Sequence, residues 1–336
     1  MEISLINKSD TLPKVSVVIP MYNEIDTIEQ CIGSVLHQVY PQKSIEIVVV
    51  DGCSKDGSRE KVEELGKKNG NIRLLDNPDQ MTPKALNIGI KNAHGDVVII
   101  LGAHTKIKDD FISQNIANMQ KMNVKCVGGT QINVGETYTQ RAIGYAMGSL
   151  FGIPSAPYRF WKKEKFVDTV VYAAYKKELF DEIGYFDEKL LISEDAEFNW
   201  RIRKAGYKIF YNPQIISYYY PRKSIVKLIK QLFRYGILRV NVIKKHLDAA
   251  KPIHLVPPLF ILVSIALLIL GFFNSIFMSI LAAIWGFYFF CILIATIITS
   301  LNTKLKYFFI LPIIFPSIHL SWGSGFVVGI FKSQYK

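Results

Sequence analysis

Cysteine is scarce in this chain, acidic residues are outnumbered, and from Pro252 to Thr303 there is no formally charged side chain at all. The four cysteines, Cys31, Cys53, Cys126 and Cys291, lie far apart with no CxxC and no Cys/His spacing. Neither a disulfide framework nor a zinc site is indicated, and a reducing, cytosolic setting for the soluble part follows. No GxGxxG comes after the first apolar run, which sets aside a dinucleotide-dependent oxidoreductase. The opening residues, MEISLINKSD, hold too little apolar content for a signal peptide, so the N-terminus is not expected to cross a membrane. Internal repeats and low-complexity tracts are also missing.

Among 336 residues, 40 Lys and Arg stand against 28 Asp and Glu, a formal charge of +12. Such an excess serves nucleic acid, anionic lipid or a phosphate-bearing substrate, and position must choose among them. Several basic residues sit just before the uncharged stretch, which favours the membrane surface. Nucleic acid has only net charge behind it. Residues 255–273 and 276–298 are each long enough to span a hydrocarbon core, which takes about 20 residues. Only Asn274 and Ser275 separate them, so a hairpin is expected. Lys244, Lys245 and Lys251 precede it and Lys304 and Lys306 follow it, which places both ends and the soluble domain in the cytosol of a multi-pass protein of the cell membrane. Residues 307–330 are apolar but broken by prolines and glycines. That segment either crosses or re-enters, and flanking lysines on both sides favour re-entry.

The N-terminal half alternates apolar runs with helical periodicity. VSVVI (15–19) precedes an amphipathic stretch carrying Ile25, Ile28, Ile32, Val35, Leu36 and Val39, and IEIVVV (45–50) follows. A helix near 56–68, a strand at 71–75, a helix near 83–93 and a strand at 96–101 continue the pattern. This βαβα order predicts an α/β domain with a mainly parallel twisted sheet and helices on both faces. Beyond residue 130 the pattern loosens to a helix near 138–149, a strand near 168–174 and a helix near 195–205. Ligands of such sheets bind at the carboxyl ends of the strands, where the chain has Tyr22-Asn23-Glu24, Asp51 and Gly102-Ala103-His104. From Ser224 to His246 a long helix is predicted, with Lys223, Lys227, Lys230 and Arg234 on one side and Ile225, Leu228, Ile229, Leu232 and Phe233 opposite. It reads as an interfacial helix on anionic lipid, against the plainer alternative of a helix packed on the domain with a solvated basic face.

Four segments, VVIPMYNE (17–24), VVDGCSKDGS (49–58), ISEDAEFNWRIRKAGYKI (192–209) and QLFRY (231–235), resemble in order and spacing the signatures of family 2 glycosyltransferases of the GT-A fold. GAHT (102–105) and HLSWGSGFVVG (319–329) are similar to the succinoglycan-type exopolysaccharide transferases of that family. The resemblance implies a GT-A domain over 1–221, an amphipathic helix over 222–251 and a membrane region over 252–336. It also implies an inverting sugar transfer from a nucleotide-sugar donor. The expected acceptor is membrane-associated, a polyprenyl-linked saccharide, in exopolysaccharide or cell-surface glycan synthesis, with membrane lipids and a polysaccharide-synthesis complex as further partners.

Sugar transfer needs groups for the base and ribose, a cationic group for the departing diphosphate, and a base for the acceptor hydroxyl. By resemblance, Asp51 accepts from the nucleobase, with Pro20, Tyr22 and Glu24 lining the same pocket and Gly102 and Ala103 beside the donor. The plainer alternative is that Asp51 and Asp56 stabilise a turn and cap the next helix, and for Asp56 that alternative is preferred. Asp195, in Ser193-Glu194-Asp195, corresponds to the family's general base, with Glu194 in support. Acids at a helix start also serve the helix dipole. The family's metal-holding aspartate pair is replaced by Gly102 and His104. Histidine remains a competent ligand for Mn²⁺ and is less suited to Mg²⁺, so a divalent cation is expected with weakened or Mn²⁺-preferring dependence, and Lys106 could carry part of the positive charge. Gln231, Arg234 and Tyr235 resemble the QxxRW element, with Tyr in place of Trp. Gln231 and Arg234 lie about 60° apart on a helix, and a guanidinium suits a diphosphate. A catalytically silent scaffold and a processive synthase are the competing readings. Retained Asp51, Asp195 and Arg234 oppose the first, and the small number of membrane segments opposes the second.

Overall fold

The computed structural model describes residues 12–190 and 194–332. The opening decapeptide, Ser193 and Lys336 therefore lie outside the described residues. The chain divides into two units, Met1–Ile132 with Trp161–Tyr219, and Asn133–Phe160 with Tyr220–Lys336. The stretch from Asn133 to Phe160 is grouped with the C-terminal part.

In the first unit, β1 (Val15–Met21), β2 (Ile45–Asp51), β3 (Ile72–Asp76) and β4 (Val97–Ile100) alternate with α1 (Ile28–Leu36), α2 (Ser58–Lys68) and α3 (Thr82–Lys91). These four strands are parallel, in the order β3, β2, β1, β4. Their near-continuous burial matches strands covered on both faces. One face carries Val15, Val17, Ile19, Ile47 and Val49 into a core shared with Cys31, Ile32 and Val35 of α1. On the other, Gly89 lets α3 close on the sheet, since a Cβ there would lie 2.4 Å from Val18 Cγ1.

The remaining strands make the sheet mixed. β5 (Thr105–Ile107), β6 (Cys126–Asn133), β7 (Lys165–Val167), β8 (Ala174–Lys176) and β9 (Ile209–Tyr219) extend it beyond β4, joined by α4 (Phe111–Lys121), α6 (Glu178–Ile183) and α7 (Glu194–Lys204). β8 is antiparallel to β4 and β6, and β5 and β7 are antiparallel to β9. The single strand expected near 168–174 is instead two short ones either side of it. β7 and β8 serve different neighbours, so the chain must leave the sheet between them, and Tyr172 turns there with φ 49°.

The second unit is helical: α5 (Tyr138–Met147), α8 (Ile225–Lys245), α9 (Pro252–Gly271), α10 (Ser275–Asn302) and α11 (Leu311–Phe331). Ser224 caps α8 by accepting from the Lys227 N–H, and Asn274 caps α10 by accepting from Ile276. Three helices, α9, α10 and α11, are long and apolar enough to cross a membrane. α11 runs unbroken through Pro316. Leu228 and Leu232, on the apolar face of α8, are buried. Against this helix α11 packs backbone to backbone, for a Cβ on Gly236 would lie 2.1 Å from the Trp322 carbonyl oxygen.

Candidate active site

β1 and β2 end level with each other, Met21 opposite Asp51, and two loops leave that edge. Hydrogen bonds zip them together. Asn23 N–H donates to Ser54 Oγ (2.9 Å), Glu24 N–H to Ser58 Oγ (2.8 Å), Ile25 N–H to Asp56 (3.1 Å) and Lys55 N–H to Asn23 Oδ1 (2.9 Å). The turns need left-handed backbone, supplied by Asn23 (φ 54°), Cys53 (φ 62°) and Gly57 (φ 93°). Asp56 is thereby a loop clasp. Burial alone would raise its pKa, but donors from Ser58 and Ile25 outweigh this and lower it.

Asp51 is fully buried. Its carboxylate accepts from Ser54 Oγ (2.6 Å), from the Ser54 N–H (3.2 Å) and from Arg59 (3.3 Å). A carboxylate offers about four acceptor positions, so one further donor can be received. Arg59 also reaches Asp76 at 2.6 Å, at the end of β3. Ser54, Arg59 and Asp76 were not singled out from the sequence, although Asp76 follows its apolar run just as Asp51 does. Pro20 pairs with Val50 in the sheet, and Tyr22 stands half exposed beside Gly52, where a Cβ would come within 3.2 Å of its ring.

Beyond β4, Gly102, Ala103 and His104 lead into β5, whose pairing sets Thr105 opposite Tyr219. His104 meets Tyr219 edge to face, 5.7 Å between ring centroids. Its Nδ1 lies 3.1 Å from Glu24 Oε1, while Glu24 Oε2 accepts from Thr27 Oγ1. Glu24 thus orients the imidazole, as a carboxylate does for a ligating histidine, and Nε2 is the nitrogen aimed elsewhere. No group of three His, Cys, Asp or Glu suited to a metal occurs among the described residues. At Gly102 a Cβ would meet Thr105 Oγ1 at 3.3 Å, a tight contact to which Thr105 would have to yield.

Glu194 and Asp195 open α7. The Ala196 N–H donates to Asp195 Oδ1 at 2.7 Å, which holds that carboxylate at the helix start. Burial, and then the neighbouring Asp195 charge, push the Glu194 carboxyl well above the ordinary carboxylate range. One turn on, fully buried Glu197 pairs with Arg201 (3.0 Å). Arg201 in turn donates to the carbonyls of Ile183, Gly184 and Tyr185, tying α7 to the preceding turn. The first unit therefore holds Pro20, Tyr22, Glu24, Asp51, Gly102, Ala103, His104, Glu194 and Asp195. Gln231, Arg234 and Tyr235 belong to the second unit, on α8, where Gln231 Nε2 donates to Tyr235 Oη (3.0 Å) and Arg234 is exposed.

A parallel sheet that turns antiparallel after β4, with these loops at its carboxyl edge, is the sheet of the GT-A fold. Residues 16–184 match the family model for glycosyl transferase family 2, and the chain belongs to that family. It is 32% identical to a dolichyl N-acetyl-alpha-D-glucosaminyl phosphate 3-beta-D-2,3-diacetamido-2,3-dideoxy-beta-D-glucuronosyltransferase of Methanococcus voltae, over 95% of this chain and 98% of that one. It is 30% identical to the succinoglycan biosynthesis protein ExoA of Rhizobium meliloti, over 71% and 73% of the two chains. Among solved structures, the mannosyltransferase PcManGT of Pyrobaculum calidifontis, in complex with GDP-Man and Mn²⁺, aligns with TM-score 0.61 over 94% of this chain and 88% of that one, at 18% identity, and shares the fold. With its three apolar helices the chain is a membrane glycosyltransferase.

Proposed function

We propose that the chain is an inverting glycosyltransferase that moves a sugar from a nucleotide-sugar donor to a polyprenyl-linked acceptor, with its catalytic unit in the cytosol, in exopolysaccharide or cell-surface glycan synthesis. The acidic pair at the start of α7 carries this reading. Asp195 is the base: its carboxylate takes the acceptor hydroxyl proton as that oxygen attacks the anomeric carbon. The bond to the diphosphate breaks, the nucleoside diphosphate leaves with the electron pair, and the configuration inverts. Glu194, its carboxyl held above the ordinary range, is the supporting acid. Asp51 receives the nucleobase N–H, beside Pro20, Tyr22 and Glu24, with Gly102 and Ala103 near the donor. On the family resemblance, Gln231, Arg234 and Tyr235 are donor-binding residues. The two similar proteins named above, one acting on a dolichyl-linked saccharide and one in succinoglycan biosynthesis, support the acceptor class.

Membranes containing the protein, given a panel of labelled nucleotide sugars, should pass label into the lipid fraction from one donor. Asp195→Asn should lower that transfer by on the order of 10²- to 10⁴-fold. Equal transfer by the variant removes Asp195 from its role, and no donor turnover under any condition favours the scaffold reading. Because His104 replaces a carboxylate, we expect metal dependence that is weak or prefers Mn²⁺. Transfer after EDTA treatment, with Mg²⁺ or Mn²⁺ restored, checks this, and full activity confined to Mg²⁺ would refute it.

A further inference from the structure

We infer that α11 does not cross the membrane: it lies with α8 along the membrane face as a two-helix layer, and only α9 and α10 cross. The inference stands on the second unit alone and is independent of the substrate.

α8 and α11 run side by side in the same direction. A Cβ on Gly325 would fall 2.0 Å from the Phe233 carbonyl oxygen, and one on Gly329 would fall 2.7 Å from that of Ile237. At the far end Lys244 Nζ donates to the carbonyls of Gly329 (3.2 Å) and Ile330 (2.9 Å). Residue numbers rise together along both helices, each 21 residues long. Neighbours this close share one depth and one tilt. α8 carries Lys227, Lys230 and Arg234 exposed along its length and ends in Lys244 and Lys245. Cationic side chains at its middle are incompatible with a place in the hydrocarbon centre. Where α8 cannot go, α11 cannot go either.

The hairpin gives an independent reading. Its buried residues are His254 and Pro258 on α9, and Ile292, Ala295, Thr296, Thr299 and Ser300 on α10. These cluster where the hairpin enters and leaves. Among the described residues, none from 259 to 291 is buried. A third helix crossing beside them would bury part of that length. α11 touches α9 at Pro257 and Ile261, 2.8 and 2.9 Å from a Cβ on Gly323, and α10 where Tyr288 Oη lies 2.9 Å from His319 Nδ1, yet it leaves residues 259–291 unburied. Charge agrees, for two crossings leave Lys251, Lys304, Lys306 and Lys332 on one side, whereas a third would carry Lys332 across. The partner surface is therefore the headgroup region of an anionic leaflet, on the side of α8.

Sealed vesicles of known orientation, holding full-length protein, can be labelled with a membrane-impermeant maleimide and the modified cysteines located by peptide mass. Exposed Cys53 reports the side of the catalytic unit. Lys332→Cys should label from the side that labels Cys53, and Ser275→Cys from the opposite side. Phe331→Cys, 83% exposed, repeats the first measurement at a second position. Labelling of residues 331 and 332 from the side of residue 275 would mean three crossings and overturn the inference. Labelling of every position from one side would mean no crossing and overturn it equally.

Discussion

Glu194 and Asp195 are chain neighbours whose charges oppose each other, and a raised Glu194 pKa has a consequence for stability. An unfolded chain would release that proton near the ordinary glutamate value, about 4.3. The folded state holds it longer, so the stability Glu194 contributes is complete below the unfolded value and is lost as pH rises through the raised one. Glu194→Gln should therefore unfold at nearly the same temperature as the parent near pH 4.5 and a few degrees higher near pH 9, measured in detergent. A difference that does not change with pH would refute the raised carboxyl. Asp51 was legible in the sequence because it directly follows an apolar run, and His104 because it lies three residues beyond one. The partnerships of Asp51 with Arg59, across the loop that leads into α2, and of His104 with Glu24, 80 positions away, were not.

Helix α8 shows what periodicity tells and what it leaves open. The polar and apolar stripes were readable, and so was the Ser224 start. The partner of the apolar stripe was not, because a helix face that suits lipid suits another helix equally. Glycines spaced along α11 were the missing signal. Gly325→Val should push α11 off Phe233, lowering the melting temperature by the equivalent of about 1–3 kcal/mol, while Gly286→Ala, with nothing within 4 Å, should leave it unchanged. Equal melting of the two variants would mean the helices are not in contact. β6 was hidden for a related reason. Its Gly128-Gly129 looks like a turn, yet a Cβ on Gly129 would sit 2.0 Å from the Ile215 carbonyl oxygen, so the glycines serve close strand packing. β9 went unread because its neighbours come from distant parts of the chain.

At the scale of the molecule, the parallel half of the sheet follows from local alternation and was readable throughout. The excursion from Asn133 to Phe160 was not, because nothing local marks a stretch that leaves one unit to join another. Within the second unit it is anchored by His319, which contacts the Phe151 carbonyl oxygen at 2.8 Å, and by Tyr138, which donates to Lys306. The hairpin has a wider consequence. Trp285 reaches Ser264, Phe260 meets Tyr288, and Gly271 admits Met278, so α9 and α10 touch along their length and enclose no lumen. Two helices packed in this way leave no path for a glycan between them.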